Sequence, residues 1–97
     1  MIVSLAEEAE VELTDGAIFY ATHGDYSLGV AFISEFENVL HLITEHPELG
    51  TPWRAHSRRF PLRRFPCSVI YRIDGDQLRV VAIAHQRRRP GYWSGRK

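Results

Sequence analysis

No lysine or arginine occurs before Arg54, although the 97-residue chain carries twelve such residues. Ten of its twelve acidic residues lie in the first fifty, so a formal net charge of zero conceals two oppositely charged halves. A near-neutral isoelectric point is therefore no guide to what the chain binds. Cations crowded into one half repel one another, and a polyanion or an acidic partner offsets that repulsion. The asymmetry points to a binding surface in the second half; the alternative is that the two halves neutralise each other across the fold.

Other scarcities exclude whole classes. Cys67 is the only cysteine, so no intramolecular disulfide exists and nothing requires an oxidising compartment. It falls in an alternating apolar run and reads as a small core residue rather than a nucleophile. The longest apolar runs, such as residues 80–84, are far short of the ~20 residues of a membrane span. The N-terminus turns acidic after Leu5 and lacks a basic n-region, so no secretory signal and no membrane partner are expected, and a soluble cytoplasmic protein is. His23, His41, His46 and His56 show no spacing that puts a metal-binding pair on one helix face, so no metal is expected. The seven glycines are scattered at turns and form no phosphate-cradling loop, and no cofactor is implied. At this length one domain, residues 1–97, with a single core is expected.

Apolar spacing supplies the elements. Residues 2–5 can start a sheet, and Ser4-Leu5-Ala6-Glu7 reads as a capping box opening a first helix that runs to about His23. Its inner face is Ala6, Ala9, Leu13, Ala17 and Tyr20, with Gly24 as a left-handed stop. A second helix from Asp25 or Tyr26 to Glu45 carries the stripe Leu28, Phe32, Phe36, Val39, Leu40 and Ile43, and ends before Pro47. The short join predicts an antiparallel helix hairpin.

After Gly50 the period changes to two. A basic loop, residues 51–57, precedes three strands at 58–64, 67–73 and 77–85. Asp74-Gly75 reads as a two-residue hairpin turn, which sets Ile73 opposite Asp76 and Val69 opposite Val80. One face then collects Cys67, Val69, Tyr71, Leu78, Val80, Ala82 and Ala84 for the helices to cover. The other collects Ser68, Ile70, Arg72, Arg79, Val81, Ile83 and His85. Half apolar and half basic, it is expected to be covered by something else, and the tail, residues 86–97, adds Arg87, Arg88, Arg89, Tyr92, Trp93 and Arg96.

This order of elements resembles the RelE/ParE superfamily of toxins from type II toxin–antitoxin systems. Ala9-Glu10-Val11-Glu12-Leu13 is similar to the family's first helix, His46-Pro47-Glu48-Leu49-Gly50 to its helix-ending turn, and Arg64-Phe65-Pro66-Cys67-Ser68-Val69-Ile70-Tyr71-Arg72 to its central strand. Ala84-His85-Gln86-Arg87-Arg88-Arg89-Pro90-Gly91-Tyr92-Trp93 resembles the ending of the branch labelled plasmid stabilisation proteins. The resemblance implies an α+β fold, β-α-α-β-β-β, with a two-helix hairpin on one face of a mainly antiparallel sheet. It also implies a cognate antitoxin as partner, in a toxin–antitoxin hetero-oligomer.

Two activities occur on this fold, so fold does not decide function. RelE-like members cut messenger RNA in the ribosome, and that activity would rest on His85, Arg87 and Tyr92 as catalytic groups: a base or acid, a cation and a C-terminal tyrosine. ParE-like members inhibit DNA gyrase and need no catalytic residue, so whether the chain is an enzyme stays open. The ending motif, together with the lack of strand lysines and of a glutamate base, favours gyrase. A non-toxic binding module is the remaining alternative. In any of these, Arg59, Arg63, Arg64, Arg72, Arg79, Arg88, Arg89, Trp93 and Arg96 are the candidate binding residues, because guanidinium forks hold oxyanions in bidentate fashion. The competing roles are a solvated charge run for the arginines, a backbone-bonded strand end for His85, and an apolar lid over the sheet for Tyr92 and Trp93.

Overall fold

A short apolar stretch at the start of the chain forms a strand, β1 (Ile2–Leu5). The change to three-to-four spacing after Ala6 then forms two helices, α1 (Glu7–His23) and α2 (Tyr26–Glu45). The computed structural model describes all 97 residues. No helix is long and apolar enough to cross a membrane.

The expected capping box does not form. Ala6 is the N-cap of α1 and offers no side-chain bond, because Ser4 is drawn into β1 opposite Arg79 and its hydroxyl accepts from Arg79 Nη1 at 3.0 Å. Glu7, Glu8 and Glu10 in the first turn offset the helix dipole instead. Gly24 ends α1 without a left-handed conformation, at φ −116°. It serves by leaving room: a Cβ there would stand 2.7 Å from Leu28 Cδ2 and 2.9 Å from the Tyr20 carbonyl. Asp25 caps α2 by accepting the Leu28 N–H at 3.0 Å, and Phe32, Phe36, Val39 and Ile43 form its buried stripe. Pro47 ends α2 and opens a short 3-10 turn, Pro47–Leu49.

Four further strands follow: β2 (Thr51–Trp53), β3 (Ser57–Pro61), β4 (Cys67–Asp74) and β5 (Gln77–His85). The sheet order is β1-β5-β4-β3-β2, with β1 parallel to β5 and every other pair antiparallel. The fold is α+β, two helices packed on a five-stranded mixed sheet. β2 lies where a loop is expected, because Ala55 and His56 both take φ 56° and reverse the chain tightly enough to set Trp53 opposite Ser57. β3 stops at Pro61, which has no N–H to continue the ladder.

The β4–β5 register differs from the expected one. Asp74 pairs with Gln77, so the turn centres on Gly75-Asp76, with positive φ only at Gly75, 61°. That places glycine first, as a type II′ turn requires. A second departure follows along the strands: Tyr71 faces Val80 but Ile70 faces Ala82, leaving Val81 as an extra residue in a β-bulge. An extra residue inverts the alternation beyond it. Val80 and Ile83 therefore pack with the helices, whereas Val81 and Ala82 pack on the far face against Trp93. Ala84, expected in the main core, also joins the far cluster. The main core gathers Ala6, Ala9, Phe32, Phe36, Ile43, Val69, Tyr71, Leu78, Val80 and Ile83 between sheet and helices. Tyr71 closes its end, donating to the Pro47 carbonyl at 2.7 Å and accepting the Gly50 N–H at 2.9 Å.

Candidate functional site

The far face of the sheet is not open: the chain's own tail covers it. Trp93 is 1% exposed and packs on Ile70, Val81 and Ala82, so the apolar half of that face is consumed internally. Its basic half holds the tail down. Arg72 donates to the carbonyls of Ala55, Ser94 and Arg96, and Arg79 to that of Lys97 and to Ser4 Oγ. Trp93, Arg72 and Arg79 are thus placed as a lid and its fasteners, the role weighed for Trp93 from sequence.

A single acid on α1 completes the clasp. Glu12 Oε1 accepts the Ile83 N–H at 3.0 Å and Arg96 Nη1 at 2.8 Å; Oε2 accepts the Tyr92 hydroxyl at 2.5 Å and Arg96 Nη2 at 3.1 Å. Arg96 Nη1 also donates to the Val81 carbonyl at 3.1 Å, so the unpaired bulge residue is satisfied by the tail. Burial and the neighbouring Glu12 push the Tyr92 hydroxyl far above the usual phenol range, and the hydrogen bond to Glu12 holds Arg96 protonated above the usual guanidinium range. Tyr92 is flanked by two guanidinium groups, Arg88 at 4.0 Å and Arg96 at 5.0 Å from the ring centre. Sequence reading did not single out Glu12. The available signal was its position three residues after Ala9, on the buried side of the helix.

His85 ends β5 opposite Cys67 and stands at the rim of two hollows, one beside α1 and one beside the tail. It was expected on the sheet face near Arg72 and Arg79; the bulge turns it toward α1 instead. Its Nδ1 accepts the Arg87 N–H at 3.0 Å, which leaves Nε2 to carry the proton of the neutral ring. Cys67 is pushed up to about 11 by burial and by the Glu12 charge, consistent with a core thiol rather than a nucleophile. His85 and Tyr92 line the same two hollows, whereas Arg87 lines neither.

The arginines divide into two groups. Arg63 and Arg64 turn away from the tail toward α2, where Glu35 accepts both backbone N–H groups and the Arg64 Nε at 3.3 Å. Arg59, Arg88 and Arg89 converge with Trp53, Ser68 and His85 on a cleft of about 240 Å³ beside the tail. Arg59 Nε donates to Ser68 Oγ at 3.3 Å, and its guanidinium stands 5.1 Å from the Trp53 ring centre. Trp53 is a second residue that sequence reading missed, since nothing marks a single tryptophan in a basic loop as a wall. No group of three His, Cys, Asp or Glu side chains is placed to hold a metal ion.

Three comparisons bear on this architecture. A family model described as the ParE toxin of type II toxin–antitoxin system, parDE, matches residues 3–90. No curated protein sequence matches the chain. Among solved structures, the chromosomal ParDE TA system from P. aeruginosa is similar, with a TM-score of 0.78 at 16% identity, over 88% of this chain and 95% of that one. At that identity the likeness bears on the fold. The family match extends from β1 through the arginine turn, nearly the whole chain, and the protein therefore belongs to the ParE toxin family of type II toxin–antitoxin systems.

Proposed function

We propose that this toxin acts by binding rather than by catalysis, arresting DNA gyrase, and that a cognate antitoxin neutralises it in a hetero-oligomeric complex. The observation that carries the reading is the state of Tyr92. Its hydroxyl donates inward to Glu12, and its ionisation is displaced well beyond the physiological range. A general acid or base works best with an ionisation near the operating pH and within reach of the proton it moves. Tyr92 meets neither condition while the clasp is closed. What is left exposed is a set of arginines suited to gripping an anionic surface.

The antitoxin has a different task on such a chain. Ion pairs between the two charged halves are few, Arg64 with Glu35 and Arg96 with Glu12, so most of the cations remain for an acidic partner. Apolar anchors would supply most of the affinity and charge the encounter rate. One observation favours ribosome-dependent mRNA cleavage as a second reading: His85 Nε2 is left free at the rim of a cleft that also holds Arg59 and Arg88.

Two measurements separate these readings. Pulse labelling of protein synthesis in the minutes after induction, without antitoxin, should show translation continuing while growth stops. Purified toxin should inhibit supercoiling by gyrase in vitro. An immediate collapse of translation with supercoiling untouched would transfer the assignment to the nuclease branch.

A further inference from the structure

We infer that the cleft between Trp53, Ser68 and the arginine turn is a seat for a backbone phosphate of DNA, so that the toxin grips the nucleic acid on which gyrase works as well as the enzyme. The biological setting rests on the gyrase reading above; the seat itself rests on charge and geometry. None of the thirteen residues lining the cleft is an aspartate or glutamate. The molecule's two arginine–carboxylate pairs both lie elsewhere. Arg59, Arg88 and Arg89 therefore face one concavity that holds no carboxylate of its own, Arg88 also bordering the hollow that Glu12 and Asp15 line, and like charges gathered there favour the entry of an anion.

The concavity is built rather than incidental. Ser68 is 9% exposed; its hydroxyl accepts from Arg59, which leaves its own proton to donate to a ligand oxygen. His85, at the rim shared with the hollow beside α1, has Nδ1 occupied by the Arg87 N–H, so that Nε2–H is the ring's remaining neutral donor. Arg88 is held by stacking on Tyr92, which Glu12 fixes in turn, so the buried clasp positions a cleft cation. Trp53 forms a flat apolar wall, about one-third exposed, to which a sugar or base can be apposed beside a phosphate. Three guanidinium forks exceed what one carboxylate needs and suit the oxygens of a phosphodiester. A hollow of about 240 Å³ admits a phosphate with part of its sugar, so a duplex would sit across the mouth and present its backbone.

The test is fluorescence anisotropy of a fluorescein-labelled DNA duplex with the full chain, titrated across sodium chloride concentration. One phosphate seated in the cleft predicts a slope of log affinity against log salt of about −0.9, and Arg59→Gln, Arg88→Gln or Arg89→Gln should each weaken binding and flatten that slope. Lys97→Gln removes the same charge outside the cleft and should leave the slope unchanged; an equal loss there would overturn the seat. Circular dichroism confirms that the variants fold. Displacement of the DNA by millimolar inorganic phosphate at constant ionic strength would mean a free-oxyanion site and overturn the DNA assignment. Gyrase separates the two ideas. DNA binding through the cleft with supercoiling unaffected removes the gyrase reading and keeps the seat, whereas inhibition of supercoiling by a chain whose DNA affinity the cleft substitutions leave unchanged removes the seat and keeps the reading.

Discussion

Glu12→Ala is the most informative single perturbation of the fold. The substitution removes the acceptor for four hydrogen bonds at once, from Ile83 N, Tyr92 Oη and both Arg96 amino groups. It also strands a guanidinium whose side chain, like that of Glu12, is only 15% exposed. Breaking a fully buried ion pair costs about 3–5 kcal/mol. With the residual exposure here letting water reach part of the site, about 3 kcal/mol is expected, against a total stability of about 5–10 kcal/mol for a domain of this size. In thermal terms that is a loss of roughly 12 °C or more in Tm. Urea unfolding should be followed by tryptophan fluorescence in a Trp53→Phe background, which leaves the buried Trp93 as the only indole. Emission should shift to the red as the tail lifts. Replacing Arg96 by methionine as well removes the stranded charge, so the double variant should be more stable than the sum of the two single losses predicts. A loss below about 1 kcal/mol for Glu12→Ala, or perfect additivity, would refute the idea that this carboxylate clasps the tail.

Tyr92→Phe keeps the ring between Arg88 and Arg96 but loses the bond to a charged acceptor, for an expected cost of about 1.5–2 kcal/mol in urea unfolding. Toxicity on induction should survive it, whereas a nuclease that relied on Tyr92 would be silenced. His85→Ala should likewise leave growth arrest intact under the gyrase reading, and loss of arrest with a folded variant would restore His85 as a catalytic group. The Cys67 thiol ionises at about 11 in the folded chain but lower once unfolded, so its contribution is fully present below the unfolded value and is lost as pH rises through 11. Stability should fall from about pH 9 upward, with the raised tyrosines acting in the same direction, and Cys67→Ser should flatten part of that decline. A thiol titrating near its ordinary value by ultraviolet absorbance would contradict this.

Local rules made much of the chain legible. The stripe through Phe32, Phe36, Val39 and Ile43, the cap at Asp25 and the stop at Pro47 follow from spacing and backbone chemistry, and so does the existence of two paired strands on either side of Gly75. Charge order along the chain places every lysine and arginine in its second half. Three features were decided only in the tertiary structure. Ser4 could cap a helix or join a strand, and pairing with Arg79 settled it. The bulge at Val81 costs a ladder position that no local propensity announces, yet it determines which way Ile83, Ala84 and His85 point. The covering of the far face by Trp93, with Glu12 holding Arg96 and Tyr92, depends on residues roughly eighty positions apart. Sequence fixes what each residue prefers within a few neighbours, because sterics and hydrogen bonding act locally. Which arginines are spent on the fold and which remain free for a partner depends on contacts closed across the whole chain.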